Sequence, residues 1–155
     1  MEIRRLEHAD IDACKRILQS LPEWFGIEES NRGYVRDLET LPSYVAIVDG
    51  EVAGFLSLKR HFPAASEIHV IAVAPSMHRH GIGRALVEEA EAALRAAGVP
   101  LLQVKTLGPS NPDEGYRKTR EFYEALGFLP LEETTALWGP DNPSLIMVKV
   151  VGNRP

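Results

Sequence analysis

Apolar residues recur along this chain with two periods that take turns. In ADIDACKRILQSL, Ile11, Cys14, Ile17, Leu18 and Leu21 stand at helical spacing, and Pro22 ends the run. IEESNRGYVRDLET repeats that period, with Ile27, Tyr34, Val35 and Leu38 expected toward the core. Period two then takes over. YVAIV and VAGFLSLKR flank Asp49-Gly50, a dipeptide that tolerates positive φ at both turn positions and so predicts a hairpin. ASEIHVIAVAP adds a third strand to the meander, its alternation predicting Glu67, His69, Ile71 and Val73 on one face and Pro75 as the stop. From Gly81 the helical period returns. It predicts Ala85, Leu86, Ala90, Ala93, Leu94 and Ala97 buried, Glu91 and Arg95 paired outside, and Gly98 as the end.

PLLQVKTL reads as the next strand, and strand, helix, strand in succession imply a parallel pair with a right-handed crossover. In the turn-rich GPSNPDEG, Asp113 is placed to cap a helix over YRKTREFYEALG that Gly127 ends. A strand around FLPL, a loop at 139–143 and a last strand, SLIMVKV, follow. With EIRRL as a short first strand, the reading is an α/β fold of α+β type: a mixed central sheet of six to seven strands flanked by four helices. No internal repeat, linker or low-complexity segment interrupts it.

The 155 residues, 45% of them hydrophobic, suffice for one core and leave no room for a second domain, so residues 1–155 are expected to form one unit. MEIRRLEHADID lacks an apolar stretch behind a basic start, and no run approaches the roughly 18 apolar residues that span a bilayer. A soluble, unprocessed chain with no membrane partner is expected. Cys14 is the single cysteine, which excludes an internal disulfide and fits a reducing, cytoplasmic setting. A formal net charge of −5 argues against nucleic acid as a partner.

Against that acidic balance, HRHGIGRAL at 78–86 stands out, with two glycines and four basic or potentially basic residues at the mouth of a predicted helix. A helix N-terminus carries unpaired N–H groups and about half a positive charge, and is a ready anion site. Glycine at 81 and 83 removes Cβ atoms that would hold a diphosphate away, and His78, Arg79, His80 and Arg84 add positive potential. Taken alone, the pair reads as well as a tight turn with exposed basic residues. A P-loop is excluded because no GxxxxGK string occurs. The dinucleotide fingerprint fails too: Leu86 stands where its third small residue belongs, and LLQVKTL has no acid for a ribose.

Val-Ala-Pro followed by an arm and HRHGIGRAL resembles motif A of the GNAT superfamily of acyl-CoA-dependent N-acyltransferases, with His78 in place of the usual Gln or Arg at the first motif position. REFYEALGF, residues 120–128, is similar to the family's motif B. The order of elements matches the family fold over nearly the whole chain. The resemblance implies acetyl-CoA as cosubstrate. Its pantetheine arm would pair with the backbone of Ile71, Ala72 and Val73, and its pyrophosphate would lie on the amides of His78, Arg79, His80, Gly81, Ile82, Gly83 and Arg84. It also implies direct transfer of acetyl to a primary amine of a small molecule or peptide, and, since many members dimerise, a homodimer.

Acyl transfer needs a neutral amine, a polarised thioester and a proton for the departing thiolate. By resemblance Tyr123 is the acid, and Tyr116, Thr119 and Tyr123 share one helix face at i, i+3 and i+7. Glu67 is the candidate base by resemblance to the histone-modifying branch. A glutamate near pKa 4.3 is a poor acceptor from an ammonium near 10, a gap of about 8 kcal/mol. His69, two residues on, is the rival, since imidazole is better matched, and a relaying water is the third route. Cys14 reads as a small buried hydrophobe, and the histidines show no metal-ligand spacing, so no metal is expected. Trp24 and Phe25, in the loop between the first two helices, are candidates for the acceptor pocket together with His69, with Glu23, Glu28 and Glu29 able to attract a cation. Trp138 reads either way. The rival to an enzyme is a domain of the same fold that holds acyl-CoA as a sensor and transfers nothing.

Overall fold

A computed structural model of the chain describes residues 1–152. Its strands are β1 (Glu2–Arg5), β2 (Ser43–Val48), β3 (Glu51–Phe62), β4 (Ala65–Val73), β5 (Leu101–Leu107), β6 (Leu129–Thr134) and β7 (Ser144–Val150). They make one seven-stranded sheet in the order β1-β2-β3-β4-β5-β7-β6. Every neighbouring pair is antiparallel except β4 with β5, which run parallel. The helices are α1 (Ile11–Gln19), α2 (Glu28–Asp37), α3 (Ile82–Ala96) and α4 (Glu114–Ala125). The mixed sheet and four helices match the sequence expectation, with seven strands rather than six.

Alternation along the strands divides the core between the two faces of the sheet. On one face Val45, Phe55, Val70 and Ala72 pack with Ile11, Cys14, Ile17 and Leu18 of α1. On the other, Tyr44, Ala46, Leu56 and Ile68 pack with Leu86, Val87 and Leu94 of α3, with Tyr123 of α4 and with Leu126 just past its end. Cys14 is fully buried in the first cluster. The β2–β3 turn at Asp49-Gly50 has φ of 51° and 79°, the two left-handed residues a two-residue hairpin requires. Asp113 caps α4 as expected, its Oδ1 accepting from Tyr116 N at 3.0 Å.

Four sequence expectations are corrected. Ile27 precedes α2 and is 68% exposed; Asn31 takes the buried position, its Nδ2 donating to Phe25 O at 2.8 Å. Ala97 lies past the last residue of α3 and is exposed. Glu91 is buried rather than paired outside with Arg95, because Lys149 of β7 reaches it at 2.6 Å, while Arg95 donates to Val151 O. The fourth concerns β4. Ser57 pairs with Val70 but Leu58 with Ile68, so His69 is an extra residue, a β-bulge that resets the alternation. Ile71 and Val73 therefore pack toward α3, whereas His69 turns to α2, and the face expected to carry all four residues is split.

Candidate active site

β4 and β5 are paired only over Ala65↔Leu101, Ser66↔Leu102 and Glu67↔Gln103. Beyond Glu67 the two strands part, while β5 stays paired with β7 as far as Leu107↔Ser144. At the far end of β4, Ala74 N donates to Ala53 O at 2.8 Å; by alternation the N–H and C=O of Val73 point away from β3, into the gap. His78 Nε2 meets that carbonyl, Val73 O, at 2.8 Å. The gap is thus edged by backbone groups of Ile71 and Val73 that no strand satisfies.

The chain leaves β4 through a short 3₁₀ turn at Pro75–Met77 and enters α3 at Gly81. Arg79 is left-handed at φ 66°, rare for a residue with a Cβ, and Gly81, the residue before the helix, is left-handed at φ 76°. Among the described residues no side chain caps this helix, so the first amides of α3 are without intrahelical partners. A Cβ at Gly81 would meet open space. Gly83 is different: its Cβ would lie 3.1 Å from Phe122 Cζ of α4, so this glycine seats α3 against α4 rather than clearing room for a phosphate, as the sequence suggested. Ile82 is buried, leaving only its backbone for a ligand, whereas His78, Arg79, His80 and Arg84 are exposed around the opening. An uncapped helix start and four exposed basic or potentially basic side chains thus meet at the mouth of the gap, a combination that favours an anion.

Glu67 sits where the paired half ends, 8% exposed. Its Oε1 takes all three of its contacts: His61 Nε2 at 2.7 Å, Gln103 Nε2 at 3.0 Å and Lys105 Nζ at 3.3 Å. Burial works to raise its pKa, but the hydrogen bonds from His61 and Gln103 and the ammonium of Lys105 outweigh it and hold the carboxyl below its ordinary value. His69 faces α2 instead, with Nε2 3.0 Å from Asp37 Oδ2 and its ring edge-on to Tyr34 at 5.4 Å. Asp37 is the last residue of α2, so this contact ties β4 to the end of that helix. Burial raises the pKa of Tyr34, and the charge of Glu67 adds to that.

Tyr123 is buried on the α3–α4 side, its ring edge-on to Phe122 and Phe128. Burial drives its pKa well above the ordinary phenol value, so it stays protonated. Trp24 reaches this helix from the other layer: its Nε1 donates to Thr119 Oγ1 at 3.2 Å, and Tyr116 OH donates to Trp24 O at 3.2 Å. Phe25 stays with α2, edge-on to Tyr34 at 6.0 Å. Trp24 thus reaches α4, Glu67 lies where the paired half of β4 ends, His69 is turned to α2 and Tyr123 is buried on α4, while Trp138, 44% exposed, stays in the loop before β7. Sequence reading missed His61, Gln103 and Lys105 around Glu67, and Asp37 on His69. Gln103 and Lys105 were findable in principle, since alternate residues of a parallel neighbour must share Glu67's face. Among the described residues no group of His, Cys, Asp and Glu could hold a metal ion, and no helix is long and apolar enough to cross a membrane.

Residues 40–130 match the family model of the acetyltransferase (GNAT) domain. A mycothiol acetyltransferase of Beutenbergia cavernae is 33% identical over 131 residues, 81% of this chain; the chain spans 42% of the length of that relative. Among solved structures, the ribosomal-protein-S18-alanine N-acetyltransferase of Escherichia coli superposes with a TM-score of 0.81 at 22% identity, over 99% of this chain and 96% of its own. An aminoglycoside 6′-N-acetyltransferase complexed with coenzyme A gives 0.79 at 20% identity, over 100% and 99%. With the domain model covering well over half of its residues, on a sheet that opens between its two parallel strands, the chain belongs to the GNAT acetyltransferase family.

Proposed function

We propose that the chain transfers an acetyl group from acetyl-CoA to the primary amine of a small molecule or peptide, directly, within a ternary complex. The observation that carries this reading is the meeting of an uncapped helix N-terminus with the unpaired edge of β4 at one opening. The residues fit coenzyme A. The amides from Arg79 to Arg84 suit its pyrophosphate, with His78 and His80 beside them, and the backbone of Ile71, Ala72 and Val73 suits its pantetheine arm. When bound, the thioester supplies the acetyl group: a C–N bond to the amine replaces the C–S bond, and coenzyme A leaves as the thiol.

The chain's own residues manage two protons. Tyr123, kept neutral by burial, donates its hydroxyl proton toward the departing sulfur. On the opposite side, Glu67 is held ionised with Oε1 occupied, which suits its carboxylate to binding the acceptor's ammonium more than to accepting a proton. His69, with Nε2 tied to Asp37, keeps Nδ1 to receive the ammonium proton before attack. Relatives are named as mycothiol, aminoglycoside or ribosomal-protein acetyltransferases, which sets the range of acceptors to try.

The test is acceptor-dependent thiol release from acetyl-CoA with kanamycin, spermidine and an alanine-ended peptide. Release with one of them is expected, and Tyr123→Phe should lower kcat by about 100-fold. An unchanged rate in Tyr123→Phe overturns the acid assignment. Binding of acetyl-CoA with no release on any amine favours the sensor over the enzyme.

A further inference from the structure

Trp24 belongs to the loop between α1 and α2, on one face of the sheet, yet its hydrogen-bond partners lie on α4, on the other. A side chain passes between the layers where the sheet is open or beyond the ends of its strands, and here β4 and β5 part after Glu67. With the ring of His78, which meets Val73 O, against it, Trp24 stands at the mouth of that gap. Its tethers are doubled. Nε1 donates to Thr119 Oγ1, its carbonyl accepts from Tyr116 OH, and Thr119 Oγ1 donates in turn to Gly115 O at 3.2 Å. Gly115 lies alongside the indole, where a Cβ would come into van der Waals contact with Trp24 Cζ2 at 3.4 Å. On its other edge the indole meets the His78 ring, 6.2 Å between centroids. The loop is pinned as well, by Trp24 N and Phe25 N on Leu21 O and by Asn31 on Phe25 O.

Thr119 lies four residues before Tyr123, one helical turn along the same face of α4, about 6 Å of axis. On the reading above, the Tyr123 hydroxyl marks the thioester sulfur. The acyl group beyond it then meets an aromatic surface within about one turn, a wall that five hydrogen bonds keep in place. We infer that Trp24 sets the acyl length this site accepts, admitting acetyl and excluding chains of medium length, rather than lining the acceptor pocket. The inference rests on the acyl-CoA reading of the gap, and it concerns a choice the sequence left open.

Calorimetric binding of acetyl-CoA and octanoyl-CoA needs no acceptor and tests it directly. Wild-type protein should bind octanoyl-CoA at least ~10-fold more weakly than acetyl-CoA, the scale of forcing extra methylenes into a packed site. Trp24→Ala should bring the two affinities within about twofold, chiefly by tightening octanoyl-CoA, and Trp24→Phe should keep most of the discrimination. Thr119→Val, which removes the indole's tether together with the hydroxyl's local bond to Gly115 O, should relax the ratio by about threefold and serves if Trp24→Ala fails to fold. Equal affinities in the wild type, or an unchanged ratio in Trp24→Ala and Thr119→Val, overturn the inference. Wild-type protein that binds neither thioester overturns the acyl-CoA reading beneath it, a result separable from the first two because acetyl-CoA itself then gives no signal.

Discussion

The two halves of the β4–β5 pair solve opposite problems with the same kind of strand. Over Ala65 to Glu67 the backbone is satisfied by β5, and the one charged side chain, Glu67, is satisfied by three donors on neighbouring strands. From Ile68 to Val73 the strand keeps β3 on one edge and gives up β5 on the other, and one of its free groups, Val73 O, is met by a side chain, that of His78. A buried backbone edge without partners is costly, so an unpaired half persists where something else supplies them. On the proposed function the closed half serves stability and the open half the cofactor. Changes in the two halves should separate those properties.

The largest expected effect is in the open half. Gly81→Glu places a negative charge at the proposed α3 cradle, where the glycine is left-handed and its Cβ would meet open space. It should weaken acetyl-CoA at least ~100-fold by calorimetry, since the anion site loses both its geometry and its sign. Gly81→Ala carries the same backbone strain, about 1 kcal/mol, without the charge, and should retain binding within about fivefold. If Gly81→Glu binds as the wild type does, the cradle is an ordinary helix start and the comparison fails at its open end.

Much of this division was legible in the sequence. Asp49-Gly50 announced its hairpin because positive φ at two successive residues is a local requirement, and HRHGIG announced the helix mouth because glycines and basic residues gather where the helical period begins. The bulge at His69 left no trace, because IHVIAV alternates well enough as a regular strand and the extra residue is fixed by the partner's register, not by its own composition. Glu91 was assigned to solvent from its charge, although its helical position is a core one; what brings it inside is Lys149, 58 residues later, on a different element. Trp24 reaching α4 is of the same kind, a contact made between two layers at the mouth of the gap. Local geometry reads forward from sequence, while partners that arrive by topology do not.

The closed half should answer in stability rather than in acetyl-CoA binding. Glu67→Gln removes a carboxylate with three donors on it, and should cost about 2 kcal/mol at neutral pH, the scale of charge-assisted hydrogen bonds lost in a buried site. Thermal melting should show it as a fall of roughly 4–8 °C for a chain of this size. The pH dependence has a fixed sign. Glu67 is held below its ordinary value in the folded protein, so its stabilisation is complete above about pH 4.3 and is lost as pH falls through the lower folded value. The gap between wild type and variant should therefore be constant from pH 7 down to about 5 and shrink in stronger acid. A gap that grows on acidification would mean that the cage of donors does not hold Glu67 ionised.

The smallest effect falls where the two halves' strategies meet, at His78. Its ring makes one exposed hydrogen bond, to a carbonyl that the proposed pantetheine arm would use, and its position in the motif is the one that departs from the family pattern. If the ring stands in for the arm, His78→Ala frees Val73 O and should tighten acetyl-CoA about two- to fivefold, the net worth of a single exposed hydrogen bond. If the ring instead touches the cofactor, the same change weakens binding. The two signs cannot both be observed, and His78→Gln separates packing from hydrogen bonding, since its amide can still reach a carbonyl while losing the aromatic edge against Trp24. Tighter binding in His78→Ala with wild-type affinity in His78→Gln would make the unpaired edge of β4 a place where the protein supplies its own stand-in partner, whereas the closed half, bonded permanently to β5, has no need of one.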